Sequence, residues 1–411
     1  MLSVAEAQAR IQAAFDPLPS EWVGLDDGLG RALAADLDAR LDQPPAAVSA
    51  MDGYAVRAAD TDPPGRPLRV VGEAAAGGSY AGALRPGEAV RIFTGGPLPD
   101  GADAIAIQEN ARVEDGTVRF TGAVAPGTFV RPAGLDFARG WTGLRAGTAL
   151  DARALGLAAA MGHVWLPVRR RPRVGVLSTG DELRRPGEPL GPSQIVSSNG
   201  VALCAALRAW GCVAVDLGIA ADRHDALAER LAAAGGLDLL LTSGGASVGD
   251  HDVVGQALGG PDSPAELDFW KIAMRPGKPL LFGRTAGGVR VLGLPGNPVS
   301  ASVCALVFAR GAVRTMLGLD PSLPRATAVL ARALAANDQR EEYMRGRYVG
   351  APAPDGGGRR RVEAAPRQDS SMFGTFAAAD ALIIRPRHDP PRAEGDPVEV
   401  VELGQVFLPL A

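Results

Sequence analysis

The spacing of apolar residues changes several times along this chain, and each change marks a different kind of structure. Between residues 172 and 317, short apolar runs at 174–177, 237–241 and 291–294 read as buried strands. Separating them are segments with apolar residues at helical spacing, 200–210 stopped by Gly211 and 224–234 stopped by Gly235. Such alternation predicts a parallel sheet covered by helices. Upstream, residues 1–15 form an amphipathic pattern opened by a Ser3-x-x-Glu6 capping box, and a second amphipathic segment runs over 28–37. Residues 46–137 switch to short apolar runs such as 89–93 and 104–107, set among glycine and proline as in a small β domain. A helix over 151–161 follows, with Asp151 as cap and Gly162 as stop. Residues 325–411 return to short strand patterns, with 354–358 as a hairpin tip. The expected class is therefore α/β plus β. If the 151–161 helix packs beside the N-terminal segments, the parts are a discontinuous helical linker domain (1–41 and 138–171), an inserted β domain (42–137), an α/β domain with a mostly parallel sheet (172–322) and a C-terminal β-barrel-like domain (323–411).

Three strand ends in the α/β region share one syntax. The first runs into Ser178, Thr179, Gly180, Asp181 and Glu182, and the second into Ser243, Gly244, Gly245, Ser247 and Gly249. The third runs into Pro295, Gly296, Asn297, Pro298 and Ser300, with Asn297 placed to cap a helix and Pro298 suited to its first position. Free amides at such a helix start form a seat for phosphate or another oxyanion, although each segment alone also reads as an ordinary strand-to-helix turn. In open sheets, ligands bind beyond the carboxyl ends of the strands, where all three loops belong. Neither a Walker A loop nor a Gly-x-Gly-x-x-Gly fingerprint is present.

At 411 residues the chain is long enough for several cores, and its net charge of −4 gives no reason to expect a nucleic-acid partner. The Arg169–Arg171 and Arg359–Arg361 clusters read as solvated charges at domain boundaries. Cys204, Cys212 and Cys304 cannot all pair with one another and suit reduced core thiols, which points to the cytoplasm. The first residues read as a helix, not a signal peptide, and no apolar run approaches membrane-spanning length, so no membrane association is expected.

Candidate chemistry lies in carboxylates and in one basic turn. Asp181, Glu182, Asp222, Asp250 and Asp252 recur at the loop ends, where they suit helix capping or, converging on one rim, a hard cation such as Mg²⁺. Lys271, Arg275 and Lys278 surround a Pro-Gly turn and suit a dianion. The four histidines show no metal-ligand spacing. Asp52 precedes a glycine at the mouth of the inserted domain, and Thr94 ends one of its strands. Arg345 and Ser370, with Gln368 nearby, interrupt strand patterns of the last domain.

Five motifs, taken in order, resemble the molybdopterin molybdenumtransferases, the MoeA and gephyrin E-domain family. They are Ser49-Ala-Met-Asp-Gly-Tyr-Ala55, Ser178-Thr-Gly-Asp-Glu182, Ser243-Gly-Gly-Ala-Ser-Val-Gly249, Arg275-Pro-Gly-Lys-Pro279 and Gly293-Leu-Pro-Gly-Asn-Pro-Val-Ser300. The resemblance covers nearly the whole chain. It implies an α/β domain of the molybdopterin-binding type and a homodimer whose active site lies between subunits. It further implies molybdate and adenylylated molybdopterin as substrates, Mg²⁺ or another divalent cation as cofactor, and release of AMP. By motif, Asp52, Thr94 and Asp136 would face the site from the partner subunit. Glu182, Asp222 and Asp252 would hold the cation, and Ser247, Arg275, Lys278, Arg345 and Ser370 would hold or guide molybdate. Molybdopterin adenylyltransferase and molybdoenzyme-maturation proteins are the implied partners. Three departures stand out: Arg275 where lysine is usual, Ser197 where aspartate is frequent, and Gly134-Leu-Asp136 without a glutamate. The alternatives are a molybdopterin adenylyltransferase, which favours a Thr-Gly-Gly-Thr-Gly loop, and a gephyrin-like scaffold.

Overall fold

The computed structural model describes residues 1–75, 77–223, 229–230, 234–244, 266–351 and 358–407. Its centre is a six-stranded sheet in the order Val213–Ala220, Arg173–Thr179, Leu239–Ser243, Arg290–Leu294, Leu281–Arg284, Glu266–Trp270. The first four strands are mutually parallel, and the last two join antiparallel. Leu239–Ser243 is buried throughout, as expected of a strand covered on both faces. Register then fixes the working edge. Ser178 lies opposite Ser243 and Ser243 opposite Leu294, so the loops that follow them leave the sheet side by side.

One core face is shared across domains. The helix Asn199–Ala209, ending before Gly211 at φ 88°, packs there with the helical run that starts at Pro298. That run contains a buried π-helical turn, Ala305–Ala309, and reaches Met316. It is long and apolar enough to cross a membrane, contrary to the sequence expectation, but most of it is buried within the chain. Val4, Ala7 and Ile11 of the first helix join this core, as do Tyr343, Leu382 and Val401 of the C-terminal domain. The first helix, capped by Ser3 and Glu6 as its sequence indicates, therefore packs on the α/β unit and not in the linker.

The linker is less helical than its pattern suggests. Residues 28–37 contain no helix: Gly30 has φ 69°, Ala32 and Leu33 bridge to Ala149 and Val168, and Leu37–Asp38 pairs with Thr142–Leu144. A β-carbon on Gly28 would meet Leu155 at 2.6 Å, so close tertiary packing decides the conformation there. The helix Ala152–Ala160 does form, with Asp151 accepting from the Ala154 amide, and it packs on Leu33, Leu150, Leu166 and Val168. The Arg169–Arg171 cluster is not simply solvated. Arg170 donates to both Asp238 oxygens at 2.8 and 2.7 Å, and Arg169 donates to the Leu18 carbonyl, tying the linker to the sheet. Likewise Arg360 lies 3.3 Å over the Tyr348 ring and Arg361 pairs with Glu394.

The inserted domain is a six-stranded sheet in which Gly53–Val56 lies second from one edge, between the edge strand Ala104–Ile107 and Glu88–Ile92. Clusters around Leu68 and Ile92 bury its two faces. In the C-terminal domain, Glu341–Tyr348, Arg361–Ala364, Ala326–Leu330, Pro397–Glu402 and Ala381–Arg385 close into a ring. Met274–Arg275 pairs with its Glu341–Tyr348 strand, joining barrel to α/β domain.

Candidate functional site

A cleft of about 600 Å³ opens at the carboxyl ends of the three parallel strands, and its lining comes from all three punctuated loops: Ser178, Thr179 and Glu182 from the first, Ser243 and Gly244 from the second, Pro295, Gly296, Asn297 and Pro298 from the third. Glycine is required at Gly244, where two of these loops touch. Gly244 has φ 94°, and a β-carbon there would lie 2.2 Å from the Thr179 carbonyl oxygen. One on Gly296 would lie 3.6 Å from the Gly244 α-carbon, so the loops stack without intervening side chains. Gly180 has φ 151°, and the Glu182 carboxylate folds back over it. Gly245, Ser247, Gly249, Asp250 and Asp252 lie outside the described residues.

The floor of the cleft is neutral and polar. Ser178, Thr179, Ser197 and Ser243 are buried. Ser197 Oγ donates to Ser178 Oγ at 3.4 Å, a neutral hydroxyl contact at this point of the floor. Thr179 Oγ1 is buried without a hydrogen-bond partner among the described residues, an orphan of the sort a ligand satisfies. Asn199, at the start of its helix, donates through Nδ2 to Ser243 Oγ and to the Gly296 carbonyl, each at 2.7 Å.

Carboxylates occupy the rim. Glu182 and Asp222 both line the cleft, and Asp181 accepts from the Asp222 amide at 3.2 Å. Their oxygen donors fit a hard divalent cation. Among the described residues no three of His, Cys, Asp and Glu come together, and Asp252, the expected third ligand, is not among those residues.

The helix start at Pro298 is less open to anions than its sequence suggests. Asn297 occupies the cap position, but its Nδ2 donates to Ser370 Oγ at 2.8 Å instead of its oxygen capping the helix. Pro298 has no amide hydrogen, and the Val299 amide is taken by the Ser370 carbonyl at 3.0 Å. A loop of the C-terminal domain thus closes this end, bringing Ser371 and Phe373 into the lining, while Ser300 is buried on the core helix.

The cationic candidates are divided. Lys278 is exposed, and Lys271 is half-buried at φ 80°. Arg275 is engaged by the C-terminal domain, donating to Glu342 at 2.7 Å, Asn337 at 3.2 Å and Asp338 at 3.5 Å. Arg345 is 1% exposed, and its guanidinium donates to the Asp369 and Arg367 carbonyls at 3.0 and 3.1 Å. Gln368 bonds the Arg345 backbone in both directions. Burial makes the Arg345 guanidinium less basic than usual. In this chain both arginines brace loops with groups that the sequence alone offers to an oxyanion.

Asp52, Thr94 and Asp136 belong to the inserted domain or its stem and do not line the cleft of their own chain. Asp52 Oδ1 accepts from the Thr94 amide and hydroxyl, both at 2.8 Å. Those two bonds, with Arg91 nearby, hold its carboxyl below the usual aspartate range. Asp136 is exposed. All three cysteines are buried free thiols, pushed up by burial.

Known proteins are similar to this chain over most of its length. Residues 2–162 match the MoeA N-terminal region (domain I and II), 175–315 a probable molybdopterin binding domain, and 327–403 the MoeA C-terminal region (domain IV). The chain is 40% identical over 356 residues to molybdopterin molybdenumtransferase 2 of Mycobacterium tuberculosis, covering 84% of this chain and 87% of that one. It is 33% identical to the molybdopterin molybdenumtransferase of Haemophilus influenzae, covering 93% and 94%. A crystal structure of the molybdopterin biosynthesis MoeA protein from Pyrococcus horikoshii superposes with a TM-score of 0.84 at 30% identity, covering 98% of this chain and 99% of that one.

Proposed function

This chain belongs to the molybdopterin molybdenumtransferase family, transferases of molybdenum cofactor biosynthesis, and from that premise we propose that it joins molybdenum from molybdate to adenylylated molybdopterin and releases AMP. The observation that carries the reading is the convergence of three glycine-packed loops on one cleft with a hydroxyl floor and a carboxylate rim. The neutral floor, with its orphaned Thr179 hydroxyl and its serines, provides hydrogen bonds to a bound substrate without adding charge. Lys271 and Lys278, flanking the Pro-Gly turn, provide positive charge for the incoming oxyanion.

Glu182 and Asp222, with Asp252, would hold a divalent cation such as Mg²⁺, which when bound offsets negative charge at the phosphoanhydride. No protein nucleophile is required, because the attacking oxygen comes from molybdate or water. Arg275 and Arg345 act by bracing: the first ties the basic turn to the barrel, and the second holds the 367–369 backbone so that Ser370 and Ser371 meet the cleft.

Asp52, Thr94 and Asp136 enter from a second copy, forming a homodimer whose site is shared. Their absence from the cleft lining of their own chain supports this arrangement. Buried free thiols suit the reducing cytoplasm. The test is to incubate the pure protein with adenylylated molybdopterin, molybdate and Mg²⁺, then to measure AMP and active cofactor. Molybdate-dependent formation of both is expected. ATP-dependent adenylylation of molybdopterin as the sole activity would overturn the assignment.

A further inference from the structure

Resting on that reading, we infer that Asn199 is the residue that positions the pterin end of the substrate. It lines the cleft, half-buried, and its carboxamide spans the ends of the strands Leu239–Ser243 and Arg290–Leu294. Nδ2 donates to Ser243 Oγ and to the Gly296 carbonyl, both at 2.7 Å. A carbonyl can only accept, so the amide nitrogen must face Gly296 and the group cannot be reversed. With both amide hydrogens engaged, Oδ1 is held in a fixed orientation as an acceptor, and among the described residues nothing donates to it.

An acceptor locked at this point selects among the parts of the substrate. Phosphate and molybdate oxygens bring no donors at neutral pH, so a fixed carbonyl oxygen disfavours them. A pterin ring carries an amino group and a ring N–H on one edge and satisfies the acceptor directly. Adenine also carries an amino group. The match of residues 175–315 to a probable molybdopterin binding domain favours the pterin, and inhibition by AMP separates the two. The clasp also fixes the spacing of the two loops it joins.

The experiment uses full-length Asn199→Ala and Asn199→Asp. The first removes clasp and acceptor; the second keeps an acceptor but turns a carboxylate against the Gly296 carbonyl. Both are expected to raise KM for adenylylated molybdopterin about tenfold, equivalent to ~1.4 kcal/mol, while KM for molybdate and the inhibition constant of AMP stay within about twofold. An unchanged KM for adenylylated molybdopterin overturns the inference. An equal loss of AMP affinity also overturns it, since this would mark an adenosine seat or general collapse of the cleft. Should the wild-type protein show no turnover, the functional reading fails by itself. Quenching of molybdopterin fluorescence then still decides the role of Asn199: about tenfold weaker binding in both variants supports it, and unchanged binding contradicts it.

Discussion

The α/β cleft and the inserted β domain each carry acidic side chains assigned to one reaction, yet they hold them in opposite ways. In the cleft the floor is buried and cross-linked, and glycines stack so closely that Gly244 has no room for a β-carbon. In the inserted domain Asp52 is fixed by Thr94 on a partly exposed loop, and the neighbouring Gly95 has open space around it. One region is a preorganised receptacle; the other is a prepared surface. A receptacle can be built within a chain, whereas a surface acts only where another body meets it, so the contrast itself argues for a second copy.

Removing one carboxylate from each region has the largest expected effect. Asp52→Ala and Glu182→Ala should each reduce molybdenum insertion by about 10²–10³-fold, while the proteins stay folded and keep the wild-type oligomeric state. If Asp52→Ala retains full turnover, the inserted domain has no part in the site.

Glycine replacements sharpen the contrast in packing. At Gly244, with φ 94° and the Thr179 carbonyl 2.2 Å from the new atom, alanine should cost roughly 3 kcal/mol or more of stability, read by denaturant melting. At Gly95, with φ 83° and nothing within 4 Å, it should cost about 1 kcal/mol, from backbone strain alone. Equal costs would mean that the cleft loops are not packed as described.

The smallest expected effect concerns pH. Because Thr94 holds the Asp52 pKa below its ordinary value, this contact contributes stability that is complete above the unfolded aspartate pKa and is lost as pH falls through the depressed one. Thr94→Val keeps the backbone bond and removes the hydroxyl one, so it should move the Asp52 titration upward, part of the way back. Carboxyl NMR would show the shift, and an unmoved titration would mean that the hydroxyl bond is absent in solution.

Much of this was legible in the chain because the cause was local. Strand runs ending in glycine, Asp151 before its helix and the Ser3–Glu6 box all declare themselves within a few residues. What was not legible depends on distant partners. Residues 28–37 have a helical pattern but pair with Ala149, Val168 and Thr142–Leu144, far along the sequence. Asn297 looks like a cap, yet it is turned aside by Ser370, and Arg275 and Arg345 look free until Glu342 and the 367–369 carbonyls are in place. Asn199 gave only a faint signal, a polar residue at a helix start beside two serines. Its importance appears once register brings Ser243 and Gly296 within reach.

We propose that a preorganised cleft in one subunit is completed by the carboxylate surface of another. Mixing inactive Asp52→Ala and Glu182→Ala proteins, allowing subunits to exchange and assaying molybdenum insertion tests this most directly. Random pairing leaves one intact site in each mixed dimer, so the account predicts recovery to about a quarter of wild-type activity. No recovery, with mixed dimers shown to have formed, would contradict it.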